Sequence, residues 1–271
     1  MKIQCPAKIN LDLKITSKRE DGFHNLESVM QTISLYDYLT LETSPSEKFE
    51  INLSGTSGEI PYNEKNLVHK AILLFVETTN LPPHKIEVFI EKNIPVSAGL
   101  AGGSTNAAGI LKGLNETFHK PLSNAELHKL CAKLGSDLNF CLEGGRQMAK
   151  GRGEILEPMP FEEFEVSLIK PITLGISAKE AYTKFSQKNA NSKPGRDDFK
   201  NDLEWAVIDD YEELQQIKKQ YPNSIMSGSG STYFMIGENF AEQEGFWVKN
   251  GLKATASGIG ISEELEVKSE K

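Results

Sequence analysis

Only three cysteines, Cys5, Cys131 and Cys141, occur in 271 residues, and no two are spaced as CxxC. Neither a disulfide framework nor a zinc knuckle follows from such a set, and a reducing cytosol is the expected compartment. The histidines at 24, 69, 84, 119 and 128 form no HExxH pair, which excludes that zinc-hydrolase pattern. Positive charge is in deficit: 30 Lys and Arg against 38 Asp and Glu leave a formal net charge of −8. A general nucleic-acid or anionic-membrane surface is therefore not expected, and any anionic ligand must be held by a local site. No apolar run approaches a membrane span. The opening MKIQCPAKINLDLKI alternates like a strand and lacks the long apolar core of a signal peptide, so a mature soluble cytoplasmic polypeptide is expected.

What is present is an ordinary globular composition, 38% hydrophobic and 25% charged. The length permits one large domain or two smaller ones. Period-2 and period-3.6 patterns predict strands over Ile3–Ile15, Tyr38–Leu41, Phe49–Leu53 and Ile86–Ile90, with helices near Asn66–Thr79, Thr105–Asn115 and Asn124–Leu134. EGGRQMAKGRGEILEPM reads as a hairpin turning at Gly151 and Gly153. FEVSLIKP then opens a new strand, Ala178–Ser186 a helix, and NANSKPGRDDFK a polar surface connection. The tail from Ala254 reads as a short strand and a charged, frayed end. A boundary near Met159 divides the chain into α+β lobes of residues 1–159 and 160–271.

Chemistry concentrates in NIPVSAGLAGGSTNAAG, Asn93 to Gly109, where glycines stand at 99, 102, 103 and 109. A strand precedes it and a helix follows, with Ser104, Thr105 and Asn106 as candidate caps. A helix start offers unpaired N–H groups and a positive dipole end, so phosphate is the natural ligand, with a packing-only role still open. A Walker loop is excluded because no lysine lies between Gly99 and Lys112, and the GxGxxG spacing is absent. A second glycine-rich stretch, SIMSGSGSTYFMIG, lies near the C-terminus. Two such loops from separate lobes would cradle opposite sides of one phosphorylated ligand.

The pattern PxxxGLxGGSxxAA, carried by Pro95, Gly99, Leu100, Gly102, Gly103, Ser104, Ala107 and Ala108, resembles the phosphate-binding motif of the GHMP kinase superfamily. The resemblance implies an α+β, two-lobed fold with the active site in the cleft between lobes. Within that superfamily, PAKINLDLKITSKREDGFHNLESVMQTISLYD resembles the opening of the kinases that phosphorylate a cytidine diphosphate sugar-alcohol conjugate in non-mevalonate isoprenoid synthesis. The likeness continues through NLVHKA, LGSDLNFCLEGG, GRGE, NDLE and MSGSGST, almost the whole chain.

The resemblance implies ATP as phosphoryl donor with Mg²⁺, whose protein ligands are not identified although Ser104 and Thr105 are candidates. It makes Asp137 the residue that accepts or steers the hydroxyl proton and Lys8 its neighbour, the needs of phosphoryl transfer being charge neutralisation, alignment and proton handling. It places Asn66, Lys92, Pro95 and the stretch Ser97, Ala98, Gly99, Leu100, Ala101, Gly102, Gly103, Ser104 and Thr105 at the nucleotide. Asn10, Gly228 and Ser229 fall to the second substrate, with cytosine stacked between Phe23 and Tyr182 and read by His24. Arg146, Asn139 and Phe23 depart from the usual residues of that branch. The partner is thus a small-molecule cytidine diphosphate compound, with neither nucleic acid nor membrane expected, and the oligomeric state is open. A homoserine or mevalonate type of GHMP kinase, or a non-catalytic binding module on this fold, is the alternative.

Overall fold

The first strand, β1 (Lys2–Asn10), buries nearly every side chain from Cys5 onward. Together with β2 (Lys14–Lys18), it accounts for the strand expected over Ile3–Ile15, which breaks at Leu11–Leu13. The computed structural model describes residues 1–190 and 195–262; part of the polar connection, 191–194, and the charged tail, 263–271, lie outside the described residues.

A single long strand, β3 (His24–Pro45), pairs with β1 over Met30–Thr40 and extends far beyond the expected Tyr38–Leu41. Next come β4 (Glu50–Gly55), α1 (Leu67–Thr79), β5 (His84–Glu91), α2 (Gly102–Thr117), α3 (Asn124–Leu134), α4 (Leu138–Glu143) and the hairpin β6 (Arg146–Gly151) with β7 (Ile155–Pro158). The second half contributes β8 (Glu165–Pro171), α5 (Ala178–Ala190), α6 (Asp202–Val207), α7 (Glu212–Gln220), β9 (Ile225–Met226), β10 (Tyr233–Ile236), β11 (Phe246–Lys253) and β12 (Gly260–Ser262).

The larger sheet runs β12-β1-β3-β5-β4, with β2 and β6 also on β3 and β7 on β6; the smaller runs β11-β8-β10-β9. Thus the chain returns at its far end to the first sheet, where β12 pairs antiparallel with β1. Helices α1 to α4 pack on the large sheet around Phe75, Leu111, Leu114 and Phe140. Two glycines let α2 lie close on β1: a Cβ at Gly109 would stand 2.5 Å from Cys5 Sγ, and one at Gly113 2.3 Å from Ile3 Cδ1. This close contact brings the start of α2 over the Lys8 end of β1.

The small sheet alternates its faces with period two. Val166, Leu168 and Phe234 pack against Ala7, Ile9, Ile33, Ala98 and Leu100 of the first half. Ile169, Tyr233 and Met235 face α5, α6 and α7 through Phe185, Leu203 and Leu214. The first of these layers, shared by both halves, backs the loops that meet in the cleft.

Candidate active site

The phosphate-type loop is shaped by left-handed backbone. Ser97, Gly99 and Ala101 all have positive φ, at 50°, 74° and 58°, and α2 begins at once at Gly102. Ala101 is the cap position, so Ser104, Thr105 and Asn106 lie inside the helix and do not cap it. Gly99 has no alternative: besides its φ, a Cβ there would stand 1.9 Å from the Ser227 carbonyl of the second glycine loop. At Gly103 an added Cβ meets nothing within 4 Å. Open space beside a first helical turn, whose N–H groups lack intrahelical partners, suits a phosphate.

Lys8 projects from β1 beneath this loop, almost fully buried. Its Nζ donates to Asn10 Oδ1 at 2.6 Å and to the Gly99 carbonyl at 2.9 Å, and lies 4.0 Å from Asp137 Oδ2. Alternation on β1 puts Asn10 on the same face, and Asn10 Nδ2 in turn donates to Ser28 Oγ at 2.8 Å. Asp137 stands at the N-cap of α4 yet makes no capping bond, and its side chain keeps 35% of its exposure. A short helix thus delivers a carboxylate to the cleft without consuming it.

Opposite stands Ser227–Ser231. Ser227 Oγ donates to the Gly99 carbonyl at 3.0 Å and accepts from the Asn10 N–H at 3.3 Å, and Gly228 backs directly onto Lys8. The loops enclose a cleft of about 1200 Å³. Of the sequence-derived site residues only Leu100 and Thr105 do not line it. Leu100 is buried and offers its carbonyl to the Lys8 N–H at 3.2 Å, and Thr105 is sealed in the core with its hydroxyl unpartnered.

The cleft inverts the charge of the whole chain. Lys8, Lys18, Lys65, Lys92, Arg152 and Lys179 line it, and among its described lining residues Asp137 is the sole carboxylate. Lys18, Lys65, Arg152 and Lys179 are not distinguished by the sequence, where a lone cation carries no signal. Lys92 is largely internal: its ammonium pairs with Asp37 at 2.9 Å and donates to the Ile94 carbonyl. Burial lowers its pKa although Asp37 opposes the shift. Asp37, wholly buried, also accepts from the N–H groups of Asn93 and Ile94 at 2.7 and 2.8 Å and from Asn106 Nδ2 at 3.0 Å. It thereby fastens the root of the loop to α2. Asn66 caps α1 through Val68 N at 2.9 Å and donates to the Pro61 carbonyl at 2.7 Å.

At the far end, the ring facing Tyr182 is His24, not Phe23: their centroids are 5.3 Å apart and 19° from parallel. His24 Nε2 lies 3.0 Å from Ser186 Oγ. Burial, with Lys18 nearby, lowers the imidazole pKa, and burial pushes the Tyr182 phenol well above its ordinary value. Phe23 is turned outward, half exposed, with the Arg152 guanidinium 4.9 Å from its centroid. The departures Arg146 and Asn139 serve structure, Arg146 pairing with Glu162 at 2.7 Å and Asn139 Nδ2 donating to the Glu154 carbonyl at 3.2 Å.

No group of three or more His, Cys, Asp or Glu fit to hold a metal lies among the described residues. A nucleotide-borne Mg²⁺ needs no such cage, since it commonly keeps waters and takes phosphate oxygens plus one or two carboxylates. Ser104, on the cleft, is the hydroxyl of the first turn in a position to help; Thr105 is not.

A glycine loop over a buried lysine, a cleft-facing carboxylate and a basic cavity between two α+β halves define a small-molecule kinase of the GHMP class. Residues 66–145 match the GHMP kinases N terminal domain. A 4-diphosphocytidyl-2-C-methyl-D-erythritol kinase of Clostridium tetani is 40% identical over 256 residues, covering 86% of this chain and 90% of the relative. The chain belongs to the 4-diphosphocytidyl-2-C-methyl-D-erythritol kinase family. A crystal structure of a 4-(cytidine 5'-diphospho)-2C-methyl-D-erythritol kinase superposes with TM-score 0.71 at 25% identity, covering 94% of this chain and all of that one (100%). Homoserine kinase from Cytophaga hutchinsonii, at 17% identity and TM-score 0.68 over 96% of each chain, shares the fold.

Proposed function

We infer that this chain transfers the γ-phosphoryl group of ATP to the 2-hydroxyl of 4-diphosphocytidyl-2-C-methyl-D-erythritol, a step in non-mevalonate isoprenoid precursor synthesis. The observation that carries the mechanism is the Lys8–Asp137 pair, set where the phosphate-type loop and the His24–Tyr182 end of the cleft converge. The Asp137 carboxylate orients the acceptor hydroxyl and takes its proton. The Lys8 ammonium, held by Asn10 and Gly99, stabilises charge building on the transferred group. The triphosphate lies along the first turn of α2 at Gly103 and Ser104. Mg²⁺ carried by the nucleotide would supply further charge neutralisation, and the cleft-lining Ser104 hydroxyl is the protein group that would help to hold it.

His24 and Tyr182 bind the cytosine, with Tyr182 as stacking face and the imidazole edge as the selective contact. Phe23, turned outward beside Arg152, lines the rim of this end of the cleft and does not form the second face of a sandwich with Tyr182. With three reduced cysteines, and no helix among the described residues long and apolar enough to cross a membrane, we place the enzyme in the cytoplasm.

The test is ATP consumption by purified protein with the cytidyl substrate, homoserine or mevalonate. Turnover confined to the first is expected. Turnover of either other alcohol would assign a different GHMP activity, and binding without turnover a sensor.

A further inference from the structure

Resting on that functional reading, we propose that Asn201 is a positioning residue for the catalytic lysine, acting through the loop that backs it. Asn201 does not line the cleft; its side chain is wholly buried behind the second glycine loop. Its Nδ2 donates to the Met226 carbonyl at 2.7 Å and the Gly228 carbonyl at 2.8 Å, while Oδ1 accepts from Leu203 N at 2.8 Å and so caps α6. The two donated hydrogens bracket Ser227.

The bracketed residue is the junction of the active site. Ser227 Oγ reaches the Gly99 carbonyl, the same oxygen that accepts from Lys8 Nζ, and receives the Asn10 N–H. Gly228 forms the wall behind the ammonium: a Cβ there would lie 3.0 Å from Lys8 Nζ and 3.1 Å from the Gly99 carbonyl. The backbone around Asn201 is anchored separately, since Leu13 N donates to the Lys200 carbonyl and Asp202 N to the Leu13 carbonyl, both at 2.9 Å. One amide, fixed to the chain just beyond β1, therefore sets the height of the loop against Lys8. The Thr232 N–H, donating to the Ala98 carbonyl at 3.3 Å, ties the far side of the same loop.

A helix cap needs only an acceptor, which Asp or Ser also supplies. The two N–H donors of Asn201 are what the proposal requires, and Asn201→Asp removes them while keeping size and cap. In the full chain, with ATP and the cytidyl substrate, kcat at neutral pH should fall about 10- to 100-fold, the scale of a small misplacement at a reacting centre. The KM for the cytidyl substrate should change much less than kcat, because His24 and Tyr182 sit on other elements and only Gly228 and Ser229 lie on the displaced loop. As pH falls and the introduced carboxyl protonates, one donor returns and the kcat gap to the unaltered protein should narrow. Asn201→Ser, which caps α6 but cannot span both carbonyls, should show the loss without the narrowing.

A folded Asn201→Asp variant with normal kcat overturns the proposal. If it does not fold, Asn201→Ser decides by the same kcat criterion, and failure of both to fold assigns Asn201 a purely structural role. Absence of turnover in the unaltered protein would instead refute the functional reading.

Discussion

The Lys8 ammonium stands 4.0 Å from the Asp137 carboxylate but only 2.9 Å from the Gly99 carbonyl. The lysine is thus held by the loop frame, and the carboxylate stays open to the cleft. Asp137→Asn should keep the fold and ATP binding while lowering kcat by about 10²-fold or more, the scale of an acid-base group. Lys8→Met should be comparably damaging through lost electrostatic stabilisation. Steady-state kinetics beside thermal melts check both, and near-normal turnover in Asp137→Asn removes it from the mechanism.

The paired loop glycines separate folding from binding. Gly103→Ala adds a Cβ to open space in a helix, so the melting temperature should hold or rise, by the ~0.5–1 kcal/mol that favours Ala over Gly, while the KM for ATP increases. Gly99→Ala should instead fail to fold or melt far lower, because its Cβ collides with the Ser227 carbonyl. Unchanged ATP affinity in a folded Gly103→Val variant would assign that glycine to packing.

His24→Ala should weaken the cytidyl substrate by about 1–3 kcal/mol, the cost of an unpaired buried polar partner, and leave ATP affinity alone. Tyr182→Ala should act likewise and Tyr182→Phe mildly, since the phenol is dispensable to stacking. Affinity losses confined to ATP would move this cluster to the other end of the cleft.

The lowered His24 pKa carries a sign. A buried neutral imidazole binds fewer protons than the same group unfolded, whose pKa is about 6.5. Its contribution to stability is complete above that value and declines as pH falls from there through the lowered folded pKa. Melting temperature against pH should therefore drop less on acidification in His24→Ala than in the unaltered protein. An identical slope would exclude His24 as the source.

Asp37 and Lys92 form a buried pair, and removing one member leaves the other uncompensated. Asp37→Ala should cost about 3–5 kcal/mol in denaturant unfolding. A loss under about 1 kcal/mol, the range of surface pairs, would mean that Lys92 finds water.

The parts legible in the sequence were those written in local chemistry. Helix α3 runs over the expected Asn124–Leu134, and the β6–β7 hairpin turns where Gly151 and Gly153 stand. Lys8 and Asn10 share a face because a strand repeats every two residues. Most of β3 was not legible, because from Ser28 to Ile33 it is buried on both faces and its alternation vanishes. Helix α7 buries only Leu214 and Ile217 in a run of charge and amide, too sparse a stripe to read. The start of α2 was misplaced since Gly102 and Gly103, poor helix formers, open it: a Cβ at Gly102 would press on Lys92 Nζ at 2.9 Å. Asn201 lay in the quoted NDLE, yet its target carbonyls are more than twenty residues away and leave no local trace.

The pairing of β12 with β1 orders events during synthesis. Lys2, Ile3 and Gln4 wait for Ser262, Ile261 and Gly260, almost the full length of the chain later. While the ribosome is still making the second half, the strand that carries Lys8 has a bare edge at Lys2–Gln4, a template for pairing with another nascent chain. The edge closes only when Gly260–Ser262 arrive to cover it, so a chain stalled before Gly260 leaves the Lys2–Gln4 edge of the large sheet open.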